Sequence, residues 1–148
     1  MGVIKMEPRI FTPWLELDMI IRLFVSALLG GIIGYERERR EKPAGLRTHM
    51  LVSIGACLFT ILSIYAFGDR SEPSRIASNI VVGIGFLGAG TIVHARGRVS
   101  GLTTAASVWT VAAIGMAIGT GLYIVGFVAS LLIYIVLRLF TVMENQDK

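Results

Sequence analysis

An uncharged run of 20 residues, from 76 to 95, limits most strongly what this chain can fold into. A helix rises about 1.5 Å per residue, so a run of this length reaches about 30 Å, the thickness of the hydrocarbon core of a bilayer. The run contains four glycines, which have no side chain and would let another backbone approach closely: Gly83, Gly85, Gly88 and Gly90. We therefore expect a membrane-spanning helix here, with the other hydrophobic runs packed around it.

The same glycines also form the pattern GxGxxG, which is typical of dinucleotide-binding loops. A dinucleotide site needs a helix N-terminus at the pyrophosphate and an acidic residue about 20 positions further on for the ribose. The chain has no Asp or Glu between Glu72 and Glu144, and similar hydrophobic runs lie on both sides of the glycines. The pattern therefore favours a membrane helix over a nucleotide-binding loop.

The composition excludes an ordinary soluble fold. Of the 148 residues, 54% are hydrophobic and only 16% are charged, and the mean hydropathy is +0.72. We expect one all-α integral membrane domain that covers residues 1–148. Cys57 is the only cysteine, which excludes an internal disulfide and fits a small packing residue.

Five hydrophobic runs predict a bundle of five transmembrane helices. The expected spans are about 17–35, 50–67, 76–95, 102–119 and 122–143. The last two runs cannot be one helix, because residues 102–137 would then extend about 54 Å, so the chain must turn at residues 119–121. Trp14 precedes the first run and fits the interface between membrane and water.

The distribution of Lys and Arg predicts the orientation. If residues 36–49 lie inside, nine basic residues are on the cytoplasmic side and four are outside. The positive-inside rule then places the N-terminus outside and the C-terminus in the cytoplasm.

The first run carries a charged pair and a stripe of small residues. Asp18 and Arg22 lie one helical turn apart and can neutralise each other. Arg22 either extends to the membrane interface or is buried and bound to carbonyl groups of neighbouring helices. Ser26, Gly30 and Gly34 recur at intervals of four and predict a face that contacts another helix.

The segment 36–49 has five basic residues and is expected outside the hydrocarbon. If the first helix continues into it, Glu36 faces Arg40, and Arg37 faces Glu41 in the same way. The segment is either a solvated loop set by topology alone or a surface that recognises anionic lipid or a protein partner.

The remaining polar residues give little support to an enzyme. The second, third and fourth runs contain no charged residue, whereas coupled transporters usually keep ionisable groups inside the bilayer. Their polar side chains either join helices or line a path for a hydrated ion; they are Ser78, Asn79, Thr91, Thr103, Thr104, Ser107 and Thr110. His49 and His94 are a weak metal signal, so a metal site stays open. We expect no catalytic residues, cofactor or nucleic-acid partner.

Three stretches of the chain resemble the membrane domain of the MgtC/SapB family. They read GGIIGYERERREKPAGLRTHMLVSIGA, SRIASNIVVGIGFLGAGTI and VSGLTTAASVWTVAAIGMAIGTG. The resemblance covers residues 22–121 and implies a five-span protein of the bacterial inner membrane. It also implies an association with magnesium limitation and, in pathogens, with survival inside macrophages. Transport has been proposed for the family, and some members regulate other membrane proteins, including the F-type ATP synthase.

The resemblance places the family's patterns at residues 34–38, 44–48, 74–77, 83–90 and 101–106. With Arg22 and Asn79 added, the candidate functional and packing residues are Arg22, Glu36, Arg37, Glu38, Arg47, Thr48, Arg75, Asn79, Gly83, Gly85, Gly88, Gly90, Thr103 and Thr104. Virulence-linked members commonly have Asn and Cys where this chain has Thr103 and Thr110, which argues against the ATP-synthase role. Many members carry a soluble C-terminal domain similar to ACT domains, which we do not expect here.

We predict a homo-oligomeric regulator that acts under magnesium limitation through contacts with membrane lipid or another membrane protein. The alternative is a transporter or channel for magnesium or another cation. That alternative requires a continuous hydrated path lined by Asn79 and the threonines.

Overall fold

The computed structural model describes residues 12–66, 73–95 and 98–144, which form five helices and one β-hairpin. In chain order these are α1 (Pro13–Arg39), α2 (Leu46–Tyr65), α3 (Pro73–Ala89), β1 (Val93–Ala95), β2 (Arg98–Ser100), α4 (Leu102–Gly119) and α5 (Tyr123–Glu144). The prediction of a bundle of five helices is confirmed. The predicted turn at residues 119–121 is also confirmed, because α4 ends at Gly119 and Gly121 adopts a φ of +88°.

Three of the helices, α1, α2 and α4, are long and apolar enough to cross a bilayer. Shorter apolar stretches occupy α3 and α5. The outside of the bundle is covered with large exposed apolar side chains, among them Trp14, Phe24, Leu51, Phe86, Ile124 and Leu132. In water such a surface would be an aggregation hazard, whereas in a bilayer it faces lipid. The chain therefore has the surface of a membrane protein.

Consecutive helices run in alternating directions. The start of α1 lies beside the ends of α2 and α4, where Arg22 contacts Tyr65 and Gly119. The end of α1 lies beside their beginnings, where Arg37 contacts Thr104. Thus α2 and α4 are parallel to each other and antiparallel to α1.

The core lies between α1, α2 and α4. Its completely or almost completely buried side chains include Ile33, Cys57, Val108, Val111 and Ile114. Close approach depends on small residues: a Cβ added at Gly30 would lie 2.7 Å from the Cβ of Ser53. One added at Gly34 would lie 2.8 Å from the Cα of Leu46. With Ser26 also buried, the predicted contact face of α1 is confirmed.

The predicted span 76–95 is wrong in its extent and in its central position. The helix ends at Ala89, and residues 93–95 pair antiparallel with residues 98–100. A tight turn at Gly90 and Thr91 ends the helix, where the Thr91 hydroxyl donates to the carbonyl of Gly88 at 2.7 Å. Between residues 74 and 90 only Ile80 and Gly88 are buried, so α3 lies at the side of the bundle.

The first helix also differs from its predicted extent. It continues through Glu36 and ends at Arg39, and Glu41 adopts a left-handed backbone conformation with a φ of +53°. The expected pairing of Arg37 with Glu41 is therefore wrong, because the helix ends before Glu41 and Arg37 points into the bundle toward Thr104. Residues predicted in a solvated or recognition loop are thus partly core residues.

Candidate functional site

A group of polar side chains lies where α1 ends beside the N-termini of α2 and α4. We call it the Arg37 cluster, and its members are Glu36, Arg37, Arg40, His49, Thr104 and Ser107. Arg37 is 2% exposed, and its Nη2 donates to the Thr104 hydroxyl at 3.3 Å. The carboxylate of Glu36 is also buried and binds Nε of Arg40, which confirms the predicted pair one helical turn apart. Nη1 of Arg37 lies 3.8 Å from the other oxygen of this carboxylate.

His49 joins α2 to α4 within the Arg37 cluster and is completely buried. Its Nδ1 donates to the carbonyl of Gly45 at 2.9 Å, and its Nε2 lies 3.0 Å from the hydroxyl of Ser107. That hydroxyl also lies 2.8 Å from the carbonyl oxygen of Thr104, so its single hydrogen is shared between this oxygen and Nε2 of His49. Because both ring nitrogens bond within the chain, His49 is engaged as a structural link rather than free to bind a metal.

A second group, the Arg22 cluster, lies at the opposite end of the same three helices. Arg22 is 9% exposed, and its Nη1 donates to the carbonyl of Gly119 at 2.8 Å. Its Nη2 lies 2.5 Å from the carboxylate of Asp18, which also accepts a hydrogen bond from the Tyr123 hydroxyl at 2.9 Å. The guanidinium carbon is 5.9 Å from the centre of the Tyr65 ring. Of the two interpretations from the sequence, the structure shows the buried arginine bound to a carbonyl of a neighbouring helix.

The two arginine clusters are separated by a packed apolar core rather than by an open channel. Ile33, Cys57, Val108 and Val111 lie between them and have 0% or 1% exposed surface. Within the described ranges, no group of three or more His, Cys, Asp or Glu side chains could hold a metal ion. The arrangement is suited to holding helices in fixed positions.

Exposed basic side chains lie at the end of α1, on the connection to α2 and at the start of α2, next to the Arg37 cluster. We call Arg39, Lys42 and Arg47 the basic face, since all three are exposed. Arg39 lies over the ring of Tyr35 at 5.9 Å. The connection itself is held by Glu38, whose carboxylate accepts a hydrogen bond from the backbone N–H of Leu46 at 2.8 Å. The basic face is thus attached to an ordered turn, where it can meet anionic groups.

An apolar groove of about 540 Å³ lies between α2 and α3. Gly55 and Phe59 line it from α2, and Asn79, Gly83 and Leu87 line it from α3. Among the residues that line the groove, Asn79 alone carries a polar side chain. The lining of the groove is therefore almost entirely apolar, and Asn79 does not meet Thr104, which belongs to the Arg37 cluster.

The glycines of α3 have different surroundings. A Cβ added at Gly88 would lie 3.4 Å from the carbonyl oxygen of Ala105, so Gly88 contacts α4 as expected. A Cβ added at Gly83 or Gly85 would meet no atom within 4 Å. Within one chain these two glycines therefore make no close contact with another helix. Gly90 lies in the turn after α3.

The other candidates from the sequence lie on the surface. Thr48, Arg75 and Thr103 are exposed, and no contact joins them into a site with the arginine clusters. Sequence reasoning missed Tyr123, whose bond to Asp18 joins residues 105 positions apart. No local spacing could have indicated this pairing.

The fold and the buried charges define a helical membrane protein whose helices are joined by polar contacts at both ends of its core. The chain belongs to the MgtC family, whose profile matches residues 23–146.

Three relatives illustrate the family. The chain is 47% identical over 130 residues to the protein named "Putative magnesium transporter YhiD" of Escherichia coli K12, which covers 83% of this chain and 60% of that protein. It is 42% identical over 137 residues to SrpB of Synechococcus elongatus, covering 82% and 74% respectively. It is 53% identical over 95 residues to MgtC of Brucella abortus, covering 64% and 40%. The chain thus spans less than two thirds of the length of YhiD and of Brucella MgtC. No solved structure matches it.

Proposed function

We propose that this protein is a non-enzymatic regulator in the bacterial inner membrane, active when magnesium is limiting. It acts by contact with anionic lipid or another membrane protein through the basic face of Arg39, Lys42 and Arg47. All five helices cross the membrane, with the N-terminus outside and the C-terminus in the cytoplasm. The basic face then lies on the cytoplasmic side, where anionic headgroups attract Lys and Arg.

The observation that carries this proposal is the burial of one arginine at each end of the same packed core. Mg²⁺ is bound by oxygen ligands, above all carboxylates, and retains several waters. A route through α1, α2 and α4 would lead a hydrated dication past Arg22 and Arg37 and through side chains without exposed surface. Like charges repel strongly where solvent screening is weak. These features support a fixed scaffold that presents a charged surface.

A magnesium transporter is the second candidate, because a relative that is 47% identical carries that name. The feature that such a role would use is Asn79, which faces the groove between α2 and α3. A transport role requires this groove to open into a hydrated path. It also requires ion flux by the purified protein alone.

A charge-reversal experiment tests the regulatory role. In cells that depend on this protein for growth at low magnesium, Arg47→Glu should impair growth while the protein stays at its normal abundance, because Arg47 is exposed and its loss leaves the core intact. Arg75→Glu is the matched control, since Arg75 is also exposed but lies in the first turn of α3, at the other end of the bundle. Equal impairment by both variants would contradict a specific role of the basic face.

Flux into liposomes separates the two candidates. We expect purified wild-type protein to give no magnesium entry above that of protein-free liposomes, measured with an entrapped magnesium indicator. Saturable entry that is abolished by Asn79→Leu, in protein that remains folded, would decide for the transporter and against the regulator.

A further inference from the structure

The glycines of this chain separate into two groups by what surrounds them. On α1, α4 and α5, a Cβ added at Gly30, Gly34, Gly119 or Gly126 would come within 3 Å of an atom of another helix. At Gly55, Gly83 and Gly85, an added Cβ would meet no atom within 4 Å. Glycine inside a helix is unfavourable unless another helix packs closely against it. These three open glycines all lie on α2 and α3, and two of them, Gly55 and Gly83, line the groove.

Asn79 lies on the same side and lacks the partners that an amide needs in a membrane. It is exposed, it lines the groove, and the described part of the chain offers its side chain no hydrogen bond. Asn79 follows Pro73 by six residues, or about 9 Å along the helix axis, so it lies within the length of α3 rather than at its end. Lipid tails can neither donate nor accept hydrogen bonds, so an amide at this depth favours contact with a polar group of a protein.

We propose that the outer face of α3 is the contact between two copies of this chain. A carboxamide both donates and accepts, so Asn79 of one copy can satisfy Asn79 of the other reciprocally. Copies with the same orientation in one membrane are related by a two-fold axis along its normal, which brings Asn79 of both copies to the same depth. A different protein would need its own polar side chain at the same depth, whereas a second copy of this chain has one there by symmetry.

The shape of the face is also self-complementary. Val82 and Phe86 form a ridge beside Gly83, with exposed fractions of 74% and 81%. The groove next to this ridge is bounded by Gly55 and Gly83, which leave room for a bulky side chain. In a two-fold pair the ridge of each copy enters the groove of the other, as tight helix packing in membranes requires. This inference rests on the membrane topology proposed above, in which α3 crosses the bilayer, but not on the regulatory role.

Disulfide cross-linking tests the contact in vesicles of native membrane. In a Cys57→Ala background, Val82→Cys should give a product of twice the chain mass on mild oxidation. Leu132→Cys on α5 is the matched control, because it is also an exposed apolar position, and it should give none. Equal cross-linking at both positions, or a product joined to a different protein at Val82→Cys, would overturn the proposal.

Dilution in liposomes measures the energetic role of Asn79 and Gly83. With copies labelled for energy transfer, Asn79→Ala should weaken self-association about 3- to 30-fold, the range expected for interhelical hydrogen bonds. Gly83→Leu should abolish energy transfer while the single chain stays folded, since the new side chain begins in open space. Unchanged association for both variants would contradict a protein contact at this face.

Discussion

At the scale of single residues, the buried arginines distinguish this chain from a simple hydrophobic bundle. Arg22 joins Asp18 on its own helix to the carbonyl of Gly119 on α4, and Asp18 in turn accepts from Tyr123 on α5. Arg37 joins α1 to Thr104 on α4 at the opposite end. Each guanidinium offers five donors in a fixed plane, so one side chain can hold several helix ends at once.

Loss of the Arg22 guanidinium should destabilise the bundle. Arg22→Ala removes the side-chain donor to the Gly119 carbonyl and leaves the Asp18 carboxylate with the Tyr123 hydroxyl as its donor. We expect the free energy of unfolding to fall by about 2 kcal/mol. Titration with a denaturing detergent in mixed micelles measures this change. Arg138→Ala provides the control, because Arg138 is exposed and donates to the Tyr134 hydroxyl one turn away on the same helix. An equal loss of unfolding free energy in Arg138→Ala would show that the buried contacts of Arg22 do not contribute specifically to stability.

At the scale of elements, small residues determine which helices are central. Gly30 and Gly34 of α1 lie against α2. Gly119 of α4 also lies against α2, where an added Cβ would be 2.8 Å from the carbonyl oxygen of Cys57. α3 contacts its neighbours through Ile80 and Gly88 and leaves its remaining face open. Van der Waals packing between helices in a membrane depends on close approach of their backbones. The helices that approach most closely, α1, α2 and α4, therefore form the centre of the bundle.

A matched pair of substitutions tests this difference between helices. Gly34→Leu should prevent α1 from contacting α2, because even its Cβ would lie 2.8 Å from the Cα of Leu46, and backbone cannot yield as a flexible side chain can. We expect a loss of about 2 kcal/mol or more of unfolding free energy, as for other overpacked sites. Gly83→Leu should unfold like wild type when the chain is diluted to single copies. Similar unfolding of the two variants would contradict the central place of α1.

At the scale of the whole molecule, the alternating helix directions and the charges describe one arrangement in the membrane. The N-termini of α2 and α4 and the β-hairpin lie at the end of the bundle that carries Arg37 and the basic face. Nine basic residues belong to this side if every helix spans, against four on the other. The positive-inside rule then predicts that this end is cytoplasmic.

Accessibility of introduced cysteines checks the orientation. In a Cys57→Ala background, Ser74→Cys at the start of α3 should react with a membrane-impermeant reagent on intact spheroplasts, and Lys42→Cys should react only after lysis. Both positions are exposed, so their difference reports the side of the membrane rather than burial in the protein. Labelling of Lys42→Cys alone on intact spheroplasts would reverse the proposed topology.

Much of the fold follows from properties that are local along the chain. Hydrophobic length predicted five helices, and the spacing of Ser26, Gly30 and Gly34 predicted the contact face of α1, because one helix presents every fourth residue on the same side. The pair of Glu36 and Arg40 was predictable for the same reason. The hairpin was missed, because residues 93–95 continue the uncharged run that begins at residue 76.

Other features depended on contacts between distant parts of the chain. The sequence left the position of Arg22 open, since its carbonyl partner lies 97 residues away. It placed Arg37 in a charged loop, whereas a contact 67 residues away directs the side chain into the core. The long uncharged run looked central, yet α3 lies at the side, because hydrophobicity draws a helix into the membrane without selecting its neighbours. In a bilayer, where lipid and core are equally apolar, close backbone approach and buried polar contacts make that selection, and they arise only when the helices assemble.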